Sequence, residues 1–329
     1  MQTLRKCVII MTVRLRICLY KQICAGRILK EGFFLENKNK NDYKLGILFI
    51  IISAFCFALM NLFIRLAGDV PTMQKCFFRN FFALIVAVVS LIRTKTPFKI
   101  GKGNLKYLTI RSVSGGLGMM CNFYAVDHLA ISDASILNKL SPFFAIIFSY
   151  FVLKETADLI EWLSVAVAFI GALFVVKPTF GMEVIPAALG VVGGLGAGLA
   201  YAYVRKLGMR NENSMIIVAY FSGFTTFLLL PYLIFNYQPM SGRQWLFLIL
   251  TGIAAAGGQI FITKAYAKAP AKEISVYDFS IVIFAAIFGF MFLGQTPDAL
   301  SIVGYVIIIG IAVIKWRYMI VKSQKGSRS

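Results

Sequence analysis

Residues 131–155 read ISDASILNKLSPFFAIIFSYFVLKE, an apolar stretch of helix length with Asn138 and Lys139 in its first turns. The same layout returns in residues 271–295, AKEISVYDFSIVIFAAIFGFMFLGQ, where Asp278 occupies the corresponding place. Side chains three or four positions apart share one face of a helix. A polar cluster repeated in two apolar helices predicts a site built from two related halves.

The composition around these stretches is that of a helical membrane protein. Hydrophobic residues make up 59% of the chain and charged residues only 15%. Solid apolar runs such as residues 45–64 match the roughly 20 residues that a helix needs to cross a hydrocarbon core of about 30 Å. Transmembrane β-strands would alternate apolar and polar residues instead.

Ten apolar runs follow one another with short connections, so we predict ten transmembrane helices. Their expected bounds are residues 44–66, 74–92, 107–126, 134–153, 160–176, 185–204, 215–236, 245–267, 274–293 and 299–315. Before them, residues 1–43 form a basic tail, for which an amphipathic segment on the membrane surface is the alternative interpretation. After them, residues 317–329 form a second basic tail.

The distribution of basic residues predicts the orientation. The chain has 34 Lys and Arg and a net charge of +20. With a cytoplasmic N-terminus, about 26 of them fall in inner segments and about 4 in outer loops, which follows the positive-inside rule. We therefore expect a multi-pass protein of the cell (inner) membrane with both termini cytoplasmic, and no nucleic-acid partner.

The two halves of the chain are related by an offset of 140 residues. This offset superposes identical residue types at nine positions of the first half, namely Ala125, Ser135, Phe144, Ala145, Ile147, Phe148, Leu153, Thr156 and Asp158. Helices one to five and six to ten then form two repeats, residues 44–178 and 185–316. Because five is odd, the second repeat enters the membrane from the opposite side. Inverted repeats of this kind are typical of secondary transporters, which bind substrate at the repeat interface.

Several local motifs resemble one family. They are RSVSGG at residues 111–116, NFYAVDHLAISDAS at 122–135, SPFF at 141–144, LKE at 153–155 and GALFVVKP at 171–178. Together they resemble the EamA domain of the drug/metabolite transporter superfamily, over about residues 44–316. The second half departs from the family pattern, with Val282 and Gln295 where the family has proline and glutamate.

The resemblance implies an all-α membrane protein with ten helices in two inverted five-helix repeats. It also implies a carrier of small metabolites or drugs that works by alternating access. We therefore expect a secondary-active permease for a small-molecule metabolite, with a proton or another ion as a possible coupling partner and no cofactor. An exporter of amphipathic or cationic drugs is the alternative.

Asp278 is the most informative residue for the site because an ionised carboxylate deep in an apolar span needs a polar cavity or a partner. One interpretation makes it a proton-coupling or cation-binding group. The other makes it half of a structural ion pair, for which Lys264 is the expected partner. Asn138 is its counterpart in the first repeat, and we expect it to contact substrate or to hydrogen-bond between helices.

The basic residues inside the spans have two interpretations. Arg79 and Lys139 lie near the outer ends of their helices, where long side chains can extend to the interface. If they turn inward, they form a cationic outer vestibule, with the basic end of the site facing out and the acidic end facing in. Arg111 is expected to extend to the cytoplasmic interface.

The remaining polar residues of the spans complete the candidate site. They are Asn61, Asn122, Tyr124, Gln259 and Tyr277. As a set they can line a central path, while each one singly is typical of contacts between helices. The glycines at 190, 194 and 198 have GxxxG spacing, which favours close packing of helices.

No motif for catalysis or metal binding accompanies these residues. The single histidine, His128, has no HExxH context, and the chain contains no nucleophile elbow or phosphate-cradling loop. The six cysteines show no CxxC spacing and are expected to be free thiols. We therefore expect neither an enzyme nor a membrane scaffold, and no bound metal.

Overall fold

The computed structural model describes residues 42–128, 137–176, 184–294 and 298–326. The described residues from Leu45 onward belong to one compact unit. Most of the predicted N-terminal tail lies outside the described residues. The same holds for Ser135, Gln295 and Thr296, on which parts of the repeat and family patterns depend.

The described residues are helical apart from short connections, and none of them forms a β-strand. The helices are α1 (Asp42–Leu66), α2 (Thr72–Arg93), α3 (Leu105–His128), α4 (Ser141–Leu153), α5 (Leu159–Val176), α6 (Val184–Met209), α7 (Ser214–Asn236), α8 (Gly242–Lys268), α9 (Ala271–Leu293) and α10 (Ala299–Gly326). The predicted all-helical class is confirmed.

Seven of the described helices are long and apolar enough to cross a membrane, namely α1, α2, α6, α7, α8, α9 and α10. The helices α4 and α5 are apolar but shorter. At 1.5 Å per residue, the 13 residues of α4 span only about 20 Å. Helix α3 has 24 residues but is less apolar, since it contains a lysine, an arginine and three glycines. The crossing of the membrane by all ten helices therefore stays a prediction.

Glycines on α6 let two neighbouring helices approach it closely. A Cβ added at Gly196 would lie 2.6 Å from the Ser114 carbonyl oxygen and 2.8 Å from the Gly118 Cα, both on α3. On another face, a Cβ at Gly198 would lie 2.5 Å from the Phe144 Cβ on α4. These distances are shorter than van der Waals contact, so these positions have room for glycine only. Of the GxxxG glycines, Gly190 and Gly194 lie equally close to Leu137, at 2.7 and 3.0 Å from an added Cβ, so the predicted close packing of helices is confirmed at these positions.

Both stretches that opened the sequence analysis contain a helix interruption. In the first, residues 137–138 are helical, residues 139–140 form a turn, and α4 then begins at Ser141. Pro142, which lacks a backbone N–H, lies in the first turn of α4. In the second, α9 passes through a tighter 3₁₀ segment at Ser275–Phe279. At the offset of 140 residues, Lys139 in the first interruption corresponds to Phe279 in the second.

Candidate functional site

The two interrupted helices meet through an ion pair. The Lys139 Nζ lies 3.4 Å from the Asp278 Oδ2, and the two side chains are only 16% and 11% exposed. The same ammonium lies 6.0 Å from the centre of the Phe279 ring. A residue at the first interruption therefore contacts two residues at the second, and the pair joins the two predicted repeats.

Two sequence-based expectations about these charges are wrong. Asp278 pairs with Lys139 and not with Lys264, whose ammonium lies over the rings of Phe49 and Phe261 at 5.8 and 5.6 Å. The basic and acidic groups also do not lie at opposite ends of the site, because Lys139 and Asp278 are in contact. Residue numbers alone do not give the depth of a side chain in the bundle, and the 3.4 Å distance puts both residues at the same level.

Arg79 turns into the bundle, with only 9% of the residue exposed. Its Nε donates to the Met60 Sδ at 3.2 Å, and its Nη1 donates to the Met119 Sδ at 3.2 Å and to the Asn80 Oδ1 at 3.3 Å. Thioether sulfur is a weak acceptor. No carboxylate of the described residues lies within salt-bridge distance of this guanidinium. The inward interpretation of Arg79 is confirmed, and the one that extends it to the interface is wrong.

Arg111 is buried rather than extended to the cytoplasmic interface, since it is only 2% exposed. Its guanidinium carbon lies 3.7 Å from the centre of the Phe221 ring on α7. The Nε and Nη1 atoms have no hydrogen-bond acceptor within the described structure. Gly115 makes room for this side chain, because a Cβ there would lie 3.2 Å from the Nη1. The expectation that Arg111 reaches the interface is therefore wrong.

Two stacked tyrosines accompany these charges and were missed by the sequence analysis. The rings of Tyr201 on α6 and Tyr266 on α8 are nearly parallel, with centroids 4.6 Å apart. Tyr201 lies within electrostatic range of Arg79, Arg111 and Asp278. Both tyrosines carry a hydroxyl within a long apolar helix, and this was the signal that could have identified them.

We call Arg79, Arg111, Lys139, Asp278, Tyr201 and Tyr266 the central cluster. Its side chains come from α2, α3, the turn before α4, α6, α8 and α9, so both predicted repeats contribute. The cluster offers cationic and hydroxyl donors in a largely water-excluded place. It is therefore suited to binding a polar or charged small molecule. The described residues contain no group of three His, Cys, Asp or Glu side chains that could hold a metal ion.

The structure distributes the other predicted site residues in two groups. Asn138 and Tyr277 are chain neighbours of Lys139 and Asp278, and Tyr277 is only 6% exposed. Asn122 is partly buried, and its Oδ1 has no hydrogen-bond partner among the described residues. By contrast, Asn61 is exposed and Tyr124 stacks on His128 of its own helix, with ring centroids 4.0 Å apart. The structure does not bring these last two into the central cluster.

At one end of the bundle, charged residues join the two halves. We call this the basic end. The Arg205 Nε donates to the Glu155 Oε1 at 3.1 Å, and its Nη1 donates to the Ala267 carbonyl oxygen at 3.2 Å. Nearby, Glu161 is only 1% exposed and lies 3.8 Å from the Nζ of the equally buried Lys315. Lys315 is the last residue of the tenth predicted span, and no partner was predicted for it.

At the opposite end, the side chain of Gln74 joins the two halves. Gln74 of α2 is fully buried; its Nε2 donates to the Gln238 carbonyl oxygen at 2.8 Å and its Oε1 accepts from the Gln238 N–H at 3.0 Å. Gln238 lies between α7 and α8. Contacts between the two halves therefore exist at both ends of the bundle, on either side of the central cluster.

Comparison with known proteins supports the resemblance seen in the sequence. The model of the EamA-like transporter family matches residues 44–177 and 184–316. The chain is 30% identical to the pseudopaline exporter CntI of Pseudomonas aeruginosa, over 81% of this chain and 94% of that protein. It is 29% identical to the human solute carrier family 35 member G1, over 83% of this chain and 80% of that protein.

The fold also occurs among solved structures. One crystal structure superposes with a TM-score of 0.71 and covers 83% of this chain and 98% of the matched chain. At 12% sequence identity, this likeness shows a common fold and nothing about substrate.

Proposed function

The chain belongs to the EamA-like transporter family, and from this premise we propose that it is a secondary-active permease for small metabolites. The substrate would bind between the two repeats and cross by alternating access. One relative is an exporter of pseudopaline, and export of a metabolite is the direction that we propose here.

The observation that carries this proposal is the central cluster. Charged groups in an apolar bundle are strongly unfavourable unless they serve a site or pair with one another. Here Lys139 and Asp278 lie at two helix interruptions, and secondary transporters commonly place substrate and coupling ions at such interruptions. Lys139 and Asp278 lie on different repeats, so relative movement of the repeats would change their separation. This gives the pair a role in both binding and conformational change.

The two ends of the bundle supply contacts that alternating access requires. One end must open while the other stays closed. The bond of Arg205 with Glu155 at the basic end, and those of Gln74 with Gln238 at the opposite end, join elements of different halves. We propose that these two groups of contacts break in alternation. The positive-inside bias supports a cytoplasmic position for the basic end.

The proposal includes the finer points of the membrane arrangement. All ten helices would cross the cell (inner) membrane, with both termini in the cytoplasm. A proton or another ion bound near Asp278 would supply the coupling energy. The second candidate, an exporter of amphipathic or cationic drugs, is favoured by the aromatic and methionine side chains near the cluster, such as Phe279 and Met119.

Transport in proteoliposomes tests the proposal. A thermal-shift screen of the purified protein against amino acids, nucleosides, carboxylates and cationic dyes first identifies ligands, because a ligand of the folded state raises apparent stability. Movement of a stabilising ligand is then measured in vesicles with the wild-type protein. A protein that binds ligands but carries none of them across the membrane is not a permease.

Two variants test the place of the site. Asp278→Asn and Asn138→Ala should each reduce transport, because both lie at the interruptions where substrate is proposed to bind. The matched controls are Asp69→Asn and Asn236→Ala, which change exposed residues. Site variants that fold normally and transport at the wild-type rate would place the substrate elsewhere.

A further inference from the structure

The unpaired charge of the central cluster indicates which chemical class of substrate it takes. We infer that the ligand is a small oxyanion with two negative charges, which binds between Arg79 and Arg111. This inference rests on the proposed function of the site and adds the substrate class to it. Carboxylate and phosphate groups share the required chemistry, since both present planar or tetrahedral oxygens that suit a guanidinium.

Arg111 provides the strongest reason. It is only 2% exposed, yet two of its in-plane donors, Nε and Nη1, have no acceptor in the described structure. The ring of Phe221 covers one face of the guanidinium at 3.7 Å, whereas Nε and Nη1 donate along its in-plane edge. A buried cation whose donors lack acceptors is strongly unfavourable. A ligand oxygen at this edge would supply the missing hydrogen-bond acceptor for Nε and Nη1.

Arg79 has acceptors, but they are poor ones. Two of its three bonds go to the thioether sulfurs of Met60 and Met119, and the third goes to the neutral amide of Asn80 at 3.3 Å. A carboxylate or phosphate oxygen forms charge-assisted bonds about twice as strong as neutral ones. Methionine side chains are flexible and yield their place at little cost. An anionic ligand would therefore replace the sulfurs as the partner of Arg79.

The charges of the cluster set the charge of the ligand. Asp278 is occupied by Lys139 at 3.4 Å, so this pair contributes no net charge. Arg79 and Arg111 remain, and the described carboxylates lie beyond salt-bridge distance of both. A dianion neutralises both arginines, whereas a monoanion leaves one of them unpaired. A cationic drug would add a third positive charge to the two arginines. The Tyr201 hydroxyl, in electrostatic range of both arginines, adds a neutral donor.

A charge series of ligands tests the inference on the wild-type protein. Thermal unfolding is measured with butyrate, succinate, monomethyl succinate, succinamide, propane-1,2,3-tricarboxylate, inorganic phosphate and tetraphenylphosphonium. We expect stabilisation to increase from butyrate to succinate and to vanish with succinamide. At ligand concentrations 100 times Kd, the unfolding temperature should rise by about 5 °C or more. A stronger effect of phosphate than of succinate would identify phosphate as the preferred group.

Variants of the two arginines test whether the dianion binds between them. Arg111→Gln and Arg79→Gln should each weaken binding of the dianion by about 10- to 100-fold, the range for loss of hydrogen bonds to a charged group. They should weaken binding of the monoanion less. Arg243→Gln is the matched control, because Arg243 also lies over a phenylalanine ring, that of Phe247, but is exposed. It should leave Kd unchanged.

The outcomes separate this inference from the proposed function. The inference is wrong if no dianion or trianion stabilises the wild-type protein, if succinamide or tetraphenylphosphonium stabilises it as well as succinate does, or if both arginine variants bind the dianion normally. Transport of a neutral or cationic ligand would then leave the permease proposal intact. Dianion binding that depends on both arginines, without any transport, would support the inference and contradict the permease.

Discussion

Neutralising both Lys139 and Asp278 should destabilise the protein by less than the sum of the two single neutralisations, because the two charges form a pair. Asp278→Asn leaves the Lys139 ammonium, only 16% exposed, beside an amide instead of a carboxylate. Removing one member of a buried pair costs about 3–5 kcal/mol because the other charge stays buried without its partner. Lys139→Gln should have a similar effect through Asp278, which is only 11% exposed.

The distance between the two charges sets limits on their interaction energy. At the observed 3.4 Å, two unit charges attract each other by about 5 kcal/mol at an effective dielectric constant of 20, and by about 1 kcal/mol in bulk water. The slight exposure of both side chains places the value between these limits. The double variant Lys139→Gln/Asp278→Asn should therefore cost about 1–5 kcal/mol less than the sum of the two single variants.

Thermal unfolding of the purified wild-type protein, the two single variants and the double variant measures the interaction energy. With roughly 2–4 °C per kcal/mol, each single variant should lower the unfolding temperature by about 6–20 °C. Asp69→Asn, an exposed carboxylate, is the control and should shift it by less than about 2 °C. If the double variant lost as much stability as the sum of the two single variants, the two charges would not interact. The assignment of the ion pair, and with it the joining of the two repeats at this point, would then be refuted.

Three further predictions concern packing and the two ends of the bundle, each measured by thermal unfolding. Gly196→Ala should destabilise by about 1–3 kcal/mol because its Cβ would overlap α3, whereas Gly310→Ala, with nothing within 4 Å, should not destabilise. Glu161→Gln should cost about 1–3 kcal/mol because Lys315 and Lys272, whose Nζ atoms lie 3.8 and 3.9 Å from the Glu161 carboxylate, each lose a charged neighbour. Gln74→Ala should cost about 1–3 kcal/mol by leaving backbone groups between α7 and α8 unsatisfied.

Each of these predictions has a result that would contradict it. Equal stabilities of the two glycine variants would mean that α3 and α6 are not in close contact. A Glu161→Gln protein as stable as the wild type would mean that Lys315 reaches water or another anion. Unchanged stability of Gln74→Ala would mean that water satisfies the backbone of Gln238.

The helices themselves were predictable because hydrocarbon leaves the backbone little choice. Each N–H and C=O must bond within its own segment, so a long apolar run becomes a helix. The predicted bounds of residues 185–204 and 215–236 agree closely with the start of α6 (Val184–Met209) and with α7 (Ser214–Asn236). The main disagreement is in α4, where the turn before Ser141 shortens the predicted span.

The site was predictable only in part. Asp278, Lys139 and Arg79 were identified because a charge in an apolar span is conspicuous in any sequence. The partner of Asp278 was wrong, and Arg111 was assigned to the interface although it is buried under Phe221. Tyr201 and Tyr266 were overlooked because an aromatic residue in an apolar helix attracts no notice.

Hydropathy thus determined the helices, the local motifs indicated the family, and the repeated polar cluster marked two stretches that bear on the site. The tertiary structure alone decided which charges meet. In a soluble helix the polar face points to water and the apolar face points to the core, so periodicity shows the rotation of the helix. Lipid and protein interior are about equally apolar, and the spans here carry few polar residues. Periodicity therefore does not show which side faces the centre. Only the packing of the glycine faces of α6 against α3 and α4 sets that rotation, and it places Arg111 and Lys139 at the centre.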